Sequence, residues 1–187
     1  MLIYKVLLVD DEEEVMDMIE RRISWPELGF EVVGKAQNGI KALEISEKLQ
    51  PDVVITDIKM PYMDGLELAR NLKQDNPCVR ILILTGFDEF EYAKEAVRLE
   101  IDEYILKPVN AIELSDCLKR LKNVLDRERE EKLKEIYEGL EEIKDQLTAL
   151  IDEYEEEETH TGKADELIEA LDALEDASET IEDVLEN

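Results

Sequence analysis

Between residues 3 and 125 the chain alternates five times between two hydrophobic periods, and this restricts the fold more than any other feature. Short apolar runs rich in β-branched residues cover 3–9, 31–34, 53–56, 80–85 and 103–106. Most are apolar at successive positions, the pattern of strands buried on both faces of a parallel sheet. The stretches between them, 12–23, 39–49, 65–74, 89–99 and 111–125, carry helical spacing. Val15, Met16, Ile19 and Ile23 share one face of the first; Leu114, Leu118, Leu121 and Leu125 share one face of the last. Turn signals separate the pieces at Asn38-Gly39, Gln50-Pro51, Asp64-Gly65, Asn76-Pro77 and Lys107-Pro108. Five βα units with right-handed crossovers predict a doubly wound α/β domain on a five-stranded parallel sheet.

The character of the chain changes after Lys122. Residues 1–122 hold 16 Lys/Arg and 25 Asp/Glu, a net of −9, and residues 123–187 hold six and 25, a net of −19. All Phe, Pro and Trp residues lie in the first part. In the second, Leu133, Ile136, Leu140, Ile143, Leu147, Leu150 and Tyr154 follow a 3-4 spacing, the a/d seam of a heptad. A polar interruption over 155–162 follows. The seam then resumes as Ala164, Leu167, Leu171, Leu174, Ser178, Ile181 and Leu185. We therefore expect an α/β domain over 1–122, a helical connector over 123–132 whose stretch 127–132 carries no apolar residue, and an acidic amphipathic helical hairpin over 133–187.

The formal net charge of −28 disfavours direct contact with nucleic acid phosphates or an anionic membrane. No apolar run approaches the ~20 residues that span a bilayer, and the N-terminal apolar stretch runs into acids without a cleavage site. Cys78 and Cys117 form no disulfide framework, so a cytoplasmic, reducing location is expected.

Ligands of open parallel sheets bind beyond the carboxyl ends of the strands. There the sequence places Asp10 and Asp11 after the first strand, Asp57 after the third, Thr85 after the fourth and Lys107 after the fifth. Clustered carboxylates repel, and a hard cation such as Mg2+ relieves the repulsion. A carboxylate beside such a metal can attack phosphorus, with a lysine offsetting charge on the transferring group. Any one of these residues alone reads as a solvated loop position. All five at the ends of four strands do not.

These stretches resemble one family, the receiver domains of two-component response regulators. The resemblance covers 1–122 and rests on VLLVDDE (6–12), PDVVITDIKMPYMDG (51–65), ILILTGF (81–87) and DEYILKP (102–108). The run TGFDEFEYAKEA (85–96) is similar to receivers that precede AraC-type DNA-binding domains. The resemblance implies a flavodoxin-like sheet of order 2-1-3-4-5. It implies that Asp57 accepts a phosphoryl group from a sensor histidine kinase. Asp11, Asp57 and the Lys59 backbone carbonyl would hold Mg2+, with Asp10 acting mainly through metal-bound water. Lys107 would pair with the phosphoryl group, in a cis Lys107-Pro108 linkage. Thr85 would move toward it, Tyr104 would turn inward, and the face formed by 89–99, 103–106 and 111–125 would be reshaped. Such a chain is a phosphoacceptor regulator, catalysing only its own phosphoryl transfer and dephosphorylation.

Glu100 stands where the family usually has glycine, and a positive φ there would strain it. Lys59 could alter dephosphorylation, and its position also argues against an aspartyl-phosphate phosphatase, which wants a second acid there. His160 and the run 155–158 read as solvated loop, and Trp25 as packing at the end of the first helix. Residues 123–187 are too acidic and too short for a DNA-binding effector. They would pair with a second hairpin as a four-helix bundle, or fold back on their own receiver and mask its output face; a homodimer is expected through the hairpin or the receiver face. Alternatively, they are a constitutive dimerisation or scaffolding element on a truncated or engineered receiver.

Overall fold

The computed structural model describes residues 3–86, 99, 101–156 and 161–186. In chain order the elements are β1 (Tyr4–Val9), α1 (Glu13–Arg22), a single turn α2 (Trp25–Leu28), β2 (Phe30–Ala36), α3 (Gly39–Leu49), β3 (Val53–Asp57), α4 (Gly65–Asp75), β4 (Arg80–Thr85), β5 (Glu103–Leu106), α5 (Ala111–Glu156) and α6 (Thr161–Glu186). The helix expected over 89–99 lies outside the described residues except for Leu99, and Glu100 and His160 lie outside them too. No described helix is long and apolar enough to cross a membrane. The chain divides into two compact units, Met1–Lys122 and Asn123–Asn187.

In the first unit the five strands are all parallel in the expected order, β2-β1-β3-β4-β5. Strand side chains alternate between faces. Leu7, Val9, Val54, Ile81 and Ile83 join a buried cluster with Ala42 of α3 and Leu66, Leu68, Ala69 and Leu72 of α4. The strand residues of opposite parity, Val6, Leu8, Val53, Ile55, Leu82 and Leu84, are equally buried. α1 and the start of α5 contribute Met16, Ile19, Leu114, Cys117, Leu118 and Leu121 to the core. Both sheet faces are covered, which explains why the strands read as unbroken apolar runs.

β2 is longer at both ends than the apolar run 31–34. Gly34 and Lys35 end that run in sequence, but the backbone stays paired to β1 through Ala36. A Cβ at Gly34 would stand 3.1 Å from Ile45 Cγ2 and 3.3 Å from Leu7 Cδ1, so α3 packs where a side chain would be. The first helix ends at Arg22, and α2 follows with Pro26 in its first turn and Gly29 capping it at φ 80°. Trp25 is buried, and its Nε1 donates to the Glu20 carbonyl at 3.1 Å, fixing this turn to the end of α1. At the opposite edge Asp102 accepts from the Ile81 backbone N–H at 2.8 Å and pairs with Arg80 at 2.9 Å, which anchors the start of β5 to β4.

In the second unit the helices match the expected hairpin, but one buried face differs. The stretch 127–132 is helical, part of an unbroken α5. α6 turns Leu167, Leu171, Leu174, Ser178, Ile181 and Leu185 inward, as its seam predicts. α5 instead buries or half-buries Leu133, Tyr137, Leu140, Lys144, Leu147, Ile151 and Tyr154. Ile136, Ile143 and Leu150 of the expected seam stay 49%, 48% and 37% exposed. A polar link accompanies this rotation. Ser178 Oγ of α6 donates to Glu141 Oε1 at 2.8 Å, and the same oxygen pairs with Lys144 Nζ at 2.9 Å. Polar Glu141 and Lys144 broke the inward pattern in the sequence, and here they bond across it.

Cys117 is 1% exposed and burial pushes its thiol up to about 12, while Cys78 is exposed. Thiolate is the reactive form. Iodoacetamide on the native protein at pH 8 should therefore modify one thiol, and Cys78→Ser should remove nearly all of that labelling. Removal of a fully buried core side chain, as in Leu82→Ala, should cost about 2–5 kcal/mol in chemical denaturation.

Candidate functional site

Asp10 and Asp11 follow β1, Asp57 ends β3, Thr85 ends β4 and Lys107 follows β5, all at the carboxyl edge of the sheet. Sheet pairing brings these ends together. The Asp10 N–H donates to the Ala36 carbonyl at 3.1 Å, and the Lys107 N–H donates to the Thr85 carbonyl at 2.7 Å. Each side chain is thus placed by backbone that is itself hydrogen-bonded.

The three carboxylates form one cluster. Asp10, Asp11 and Asp57 each offer an oxygen within 4.8 Å of the others. Lys107 Nζ lies 2.8 Å from Asp10 Oδ2 and 2.9 Å from Asp57 Oδ1, bridging β1 and β3 from beyond β5. Asp10 is 1% exposed, and its other oxygen accepts the Glu12 N–H at 2.9 Å. Asp11 is exposed. The cluster is therefore closed by Lys107 on one side and open at Asp11 on the other.

Burial dominates the electrostatics of the centre. It pushes the Asp57 carboxyl above its ordinary 3.8; Lys107 pulls it down, and the neighbouring Asp10 carboxylate adds to the rise. For Lys107, burial opposes the charge, but hydrogen bonds to Asp10 and Asp57 outweigh it and raise the ammonium above 10.5. Three carboxylates and one ammonium leave a formal excess of two negative charges. An all-oxygen donor set with that excess fits a hard divalent cation such as Mg2+.

The turn after β3 holds Asp57 against α4. The Gly65 N–H donates to the Ile58 carbonyl at 2.9 Å, and a Cβ at Gly65 would overlap the Asp57 carbonyl oxygen. Asp64 caps α4 by accepting the Glu67 N–H at 2.7 Å. Sequence reasoning took Asp64-Gly65 only as a turn and missed this role; the signal available was the glycine itself at a helix start. Tyr62, in the same turn, has φ 72° and is 85% exposed.

The other expected residues lie nearby in the fold. Lys59 is exposed, two residues after Asp57. Thr85 is 8% exposed and its hydroxyl donates to the Gly86 carbonyl at 3.2 Å. Tyr104 is half-buried against the cluster that holds Val54, Ile81 and Ile83. The Lys107-Pro108 bond is cis.

The family model described as "Response regulator receiver domain" matches residues 6–119. The chain is 45% identical over 125 residues to the uncharacterized transcriptional regulatory protein YesN of Bacillus subtilis, covering 67% of this chain and 34% of that protein. It is 33% identical over 122 residues to the transcriptional regulatory protein HptR of Staphylococcus aureus, covering 65% and 48%. The chain thus spans about a third to a half of the length of the curated relatives it matches. Among solved structures it matches the REC domain of AraT, a response regulator from Geobacillus stearothermophilus. That match has a TM-score of 0.65 and 39% identity, covering 67% of this chain and 98% of that one.

The raised Asp57 carboxyl sets a pH dependence of stability. Below the ordinary carboxylate range Asp57 is protonated folded and unfolded, and contributes nothing. As pH rises through the unfolded and then the folded value, the unfolded chain ionises more readily and stability falls. In metal-free buffer Asp57→Asn should melt above the parent protein at pH 7, and the gap should close toward pH 3. Added Mg2+ should raise the melting temperature of the parent chain more than that of Asp57→Asn.

Proposed function

The chain belongs to the response regulator receiver family, and from that premise we propose that it is a phosphoacceptor switch with Asp57 as the acceptor. The observation that carries this reading is Lys107, which holds Asp10 and Asp57 within hydrogen-bond reach of one ammonium at the open edge of the sheet. Response regulators work with sensor histidine kinases, and a phosphohistidine of such a kinase is the proposed donor. An Asp57 carboxylate oxygen attacks phosphorus as the phosphorus–nitrogen bond breaks, and the imidazole leaves and takes a proton from solvent. The products are an aspartyl phosphate and a neutral histidine.

Asp10, Asp11, Asp57 and the backbone carbonyl of Lys59 would hold Mg2+. When bound, the ion supplies positive charge against the phosphoryl oxygens. Lys107 moves its contact from the Asp57 carboxylate to a phosphoryl oxygen, retaining Asp10 as its anchor. Thr85 exchanges its Gly86 carbonyl for a phosphoryl oxygen. Tyr104, already half-buried on the core cluster, follows Thr85 inward and carries the change to β5 and its neighbours. These movements would make a two-state element whose balance the phosphoryl group biases.

The chain is proposed to comprise a receiver over 1–122, a connector over 123–132 and a helical hairpin over 133–187. Its output is proposed to be protein–protein association, with a homodimer formed through the hairpin or the receiver face. The curated relatives are transcriptional regulators by name, yet the described residues of the second unit are two acidic helices.

Labelling by a phosphorylated histidine kinase, or by a small phosphoramidate, should require Mg2+ and disappear in Asp57→Ala. Lys107→Ala should slow labelling by roughly a hundredfold to a thousandfold, the range for losing one preorganised donor to developing charge. Full labelling of Asp57→Ala would remove the proposal.

A further inference from the structure

The outer face of α5 carries an apolar ladder that its own hairpin leaves uncovered. Ile136, Ile143 and Leu150 stand seven residues apart and are 49%, 48% and 37% exposed. That spacing puts them on one stripe, roughly 21 Å long at 1.5 Å per residue. Single exposed apolar residues are ordinary. A ladder in register is not, in a segment with 25 acids among residues 123–187.

Two further features belong to the same stripe. The positions along its edge away from the hairpin partner are Lys132, Gly139, Gln146 and Glu153, again seven apart. The two central ones carry no charge. Gly139 also weakens the helix relative to alanine. A Cβ there would meet nothing within 4 Å, so nothing inside the hairpin calls for its small size. A second helix passing close over the stripe would.

The register says which helix. A second α5, antiparallel with its twofold at Ile143, sets Ile136 against Leu150 and Ile143 against its own copy. The same register brings Lys132 beside Glu153 and Gln146 over Gly139, where the missing side chain leaves room. A parallel copy in register keeps Lys132 at the far end of the stripe from Glu153 and Gln146 about two turns from Gly139, so neither pairing forms. The stripe is therefore self-complementary in one orientation only, as a twofold interface requires.

We propose that α5 pairs antiparallel with α5 of a second copy through Ile136, Gly139, Ile143, Gln146 and Leu150, so that two hairpins form a four-helix bundle. This deepens the self-association reading above, and rests on it, by naming the face. The acidic flanks Glu135 and Glu142 repel across such an interface, so the dimer tightens as salt screens them.

The test is light scattering of the full chain across salt and protein concentration. The expected mass moves from 21.6 kDa toward twice that value as either rises. Ile143→Lys, which puts two ammonium groups on the twofold, should return the mass to one chain. Glu138→Gln, the same change in charge off the stripe, should leave the dimer intact. Gly139→Leu should raise helix content at low concentration yet lose the dimer, a pair of effects that misfolding cannot produce. In a Cys78→Ser background, Ile143→Cys should cross-link to itself under an added oxidant. Ile136→Cys alone should not, but should cross-link when mixed with Leu150→Cys. A single-chain mass under all conditions overturns both this face and self-association. A dimer indifferent to Ile143→Lys overturns this face and leaves self-association elsewhere. Cross-linking of Ile136→Cys to itself overturns the antiparallel register.

Discussion

An all-parallel sheet puts every carboxyl end of its strands on one edge, and the chemistry of the first unit depends on that constraint. Here the edge collects Asp10, Asp11 and Asp57 from two adjacent strands and Lys107 from beyond a third. Burial makes the Asp57 charge costly, and the Lys107 ammonium offsets it only in part. The excess negative charge and the exposed Asp11 side leave an oxygen donor set that fits a hard cation. The apolar strands and their covering helices fix the backbone that carries these groups.

The second unit is governed by a different constraint. A two-helix hairpin has little core of its own, and α5 carries apolar residues on two overlapping stripes. The inner one, with Tyr137 and Ile151, is completed by Ser178, Glu141 and Lys144. The outer one, with Ile136, Ile143 and Leu150, is left to water or to another helix. Leu140 and Leu147, half-buried between the stripes, serve both. Such a helix can be a fold element and an interface at once.

The sheet was legible because burial on both faces writes a long apolar run, which few other structures require. The ends of the strands were legible for the same reason, so the placement of Asp10, Asp11, Asp57 and Lys107 at strand ends follows from counting along each run. β2 was the weakest reading, since Gly34 and Lys35 interrupt its hydrophobicity while its backbone stays paired. The turn α2 was missed because four residues carry no period. The role of Gly65 was missed because a close approach between backbones leaves no mark except the glycine.

The sequence by itself determined the βα alternation, the strand order once the family motifs were seen, and the acids and lysine at one edge. Those properties are periodic or local. Which stripe of α5 turns inward was decided only in three dimensions. Ile136 and Tyr137, like Leu150 and Ile151, are adjacent apolar pairs, and a one-residue rotation exchanges them at almost no hydrophobic cost. What separates the alternatives is whether Glu141 and Lys144 find partners, and that depends on where Ser178 of another helix lies. Likewise, the closure of Lys107 on both Asp10 and Asp57 depends on β5 lying beside β4, a pairing between distant parts of the chain that no local pattern encodes.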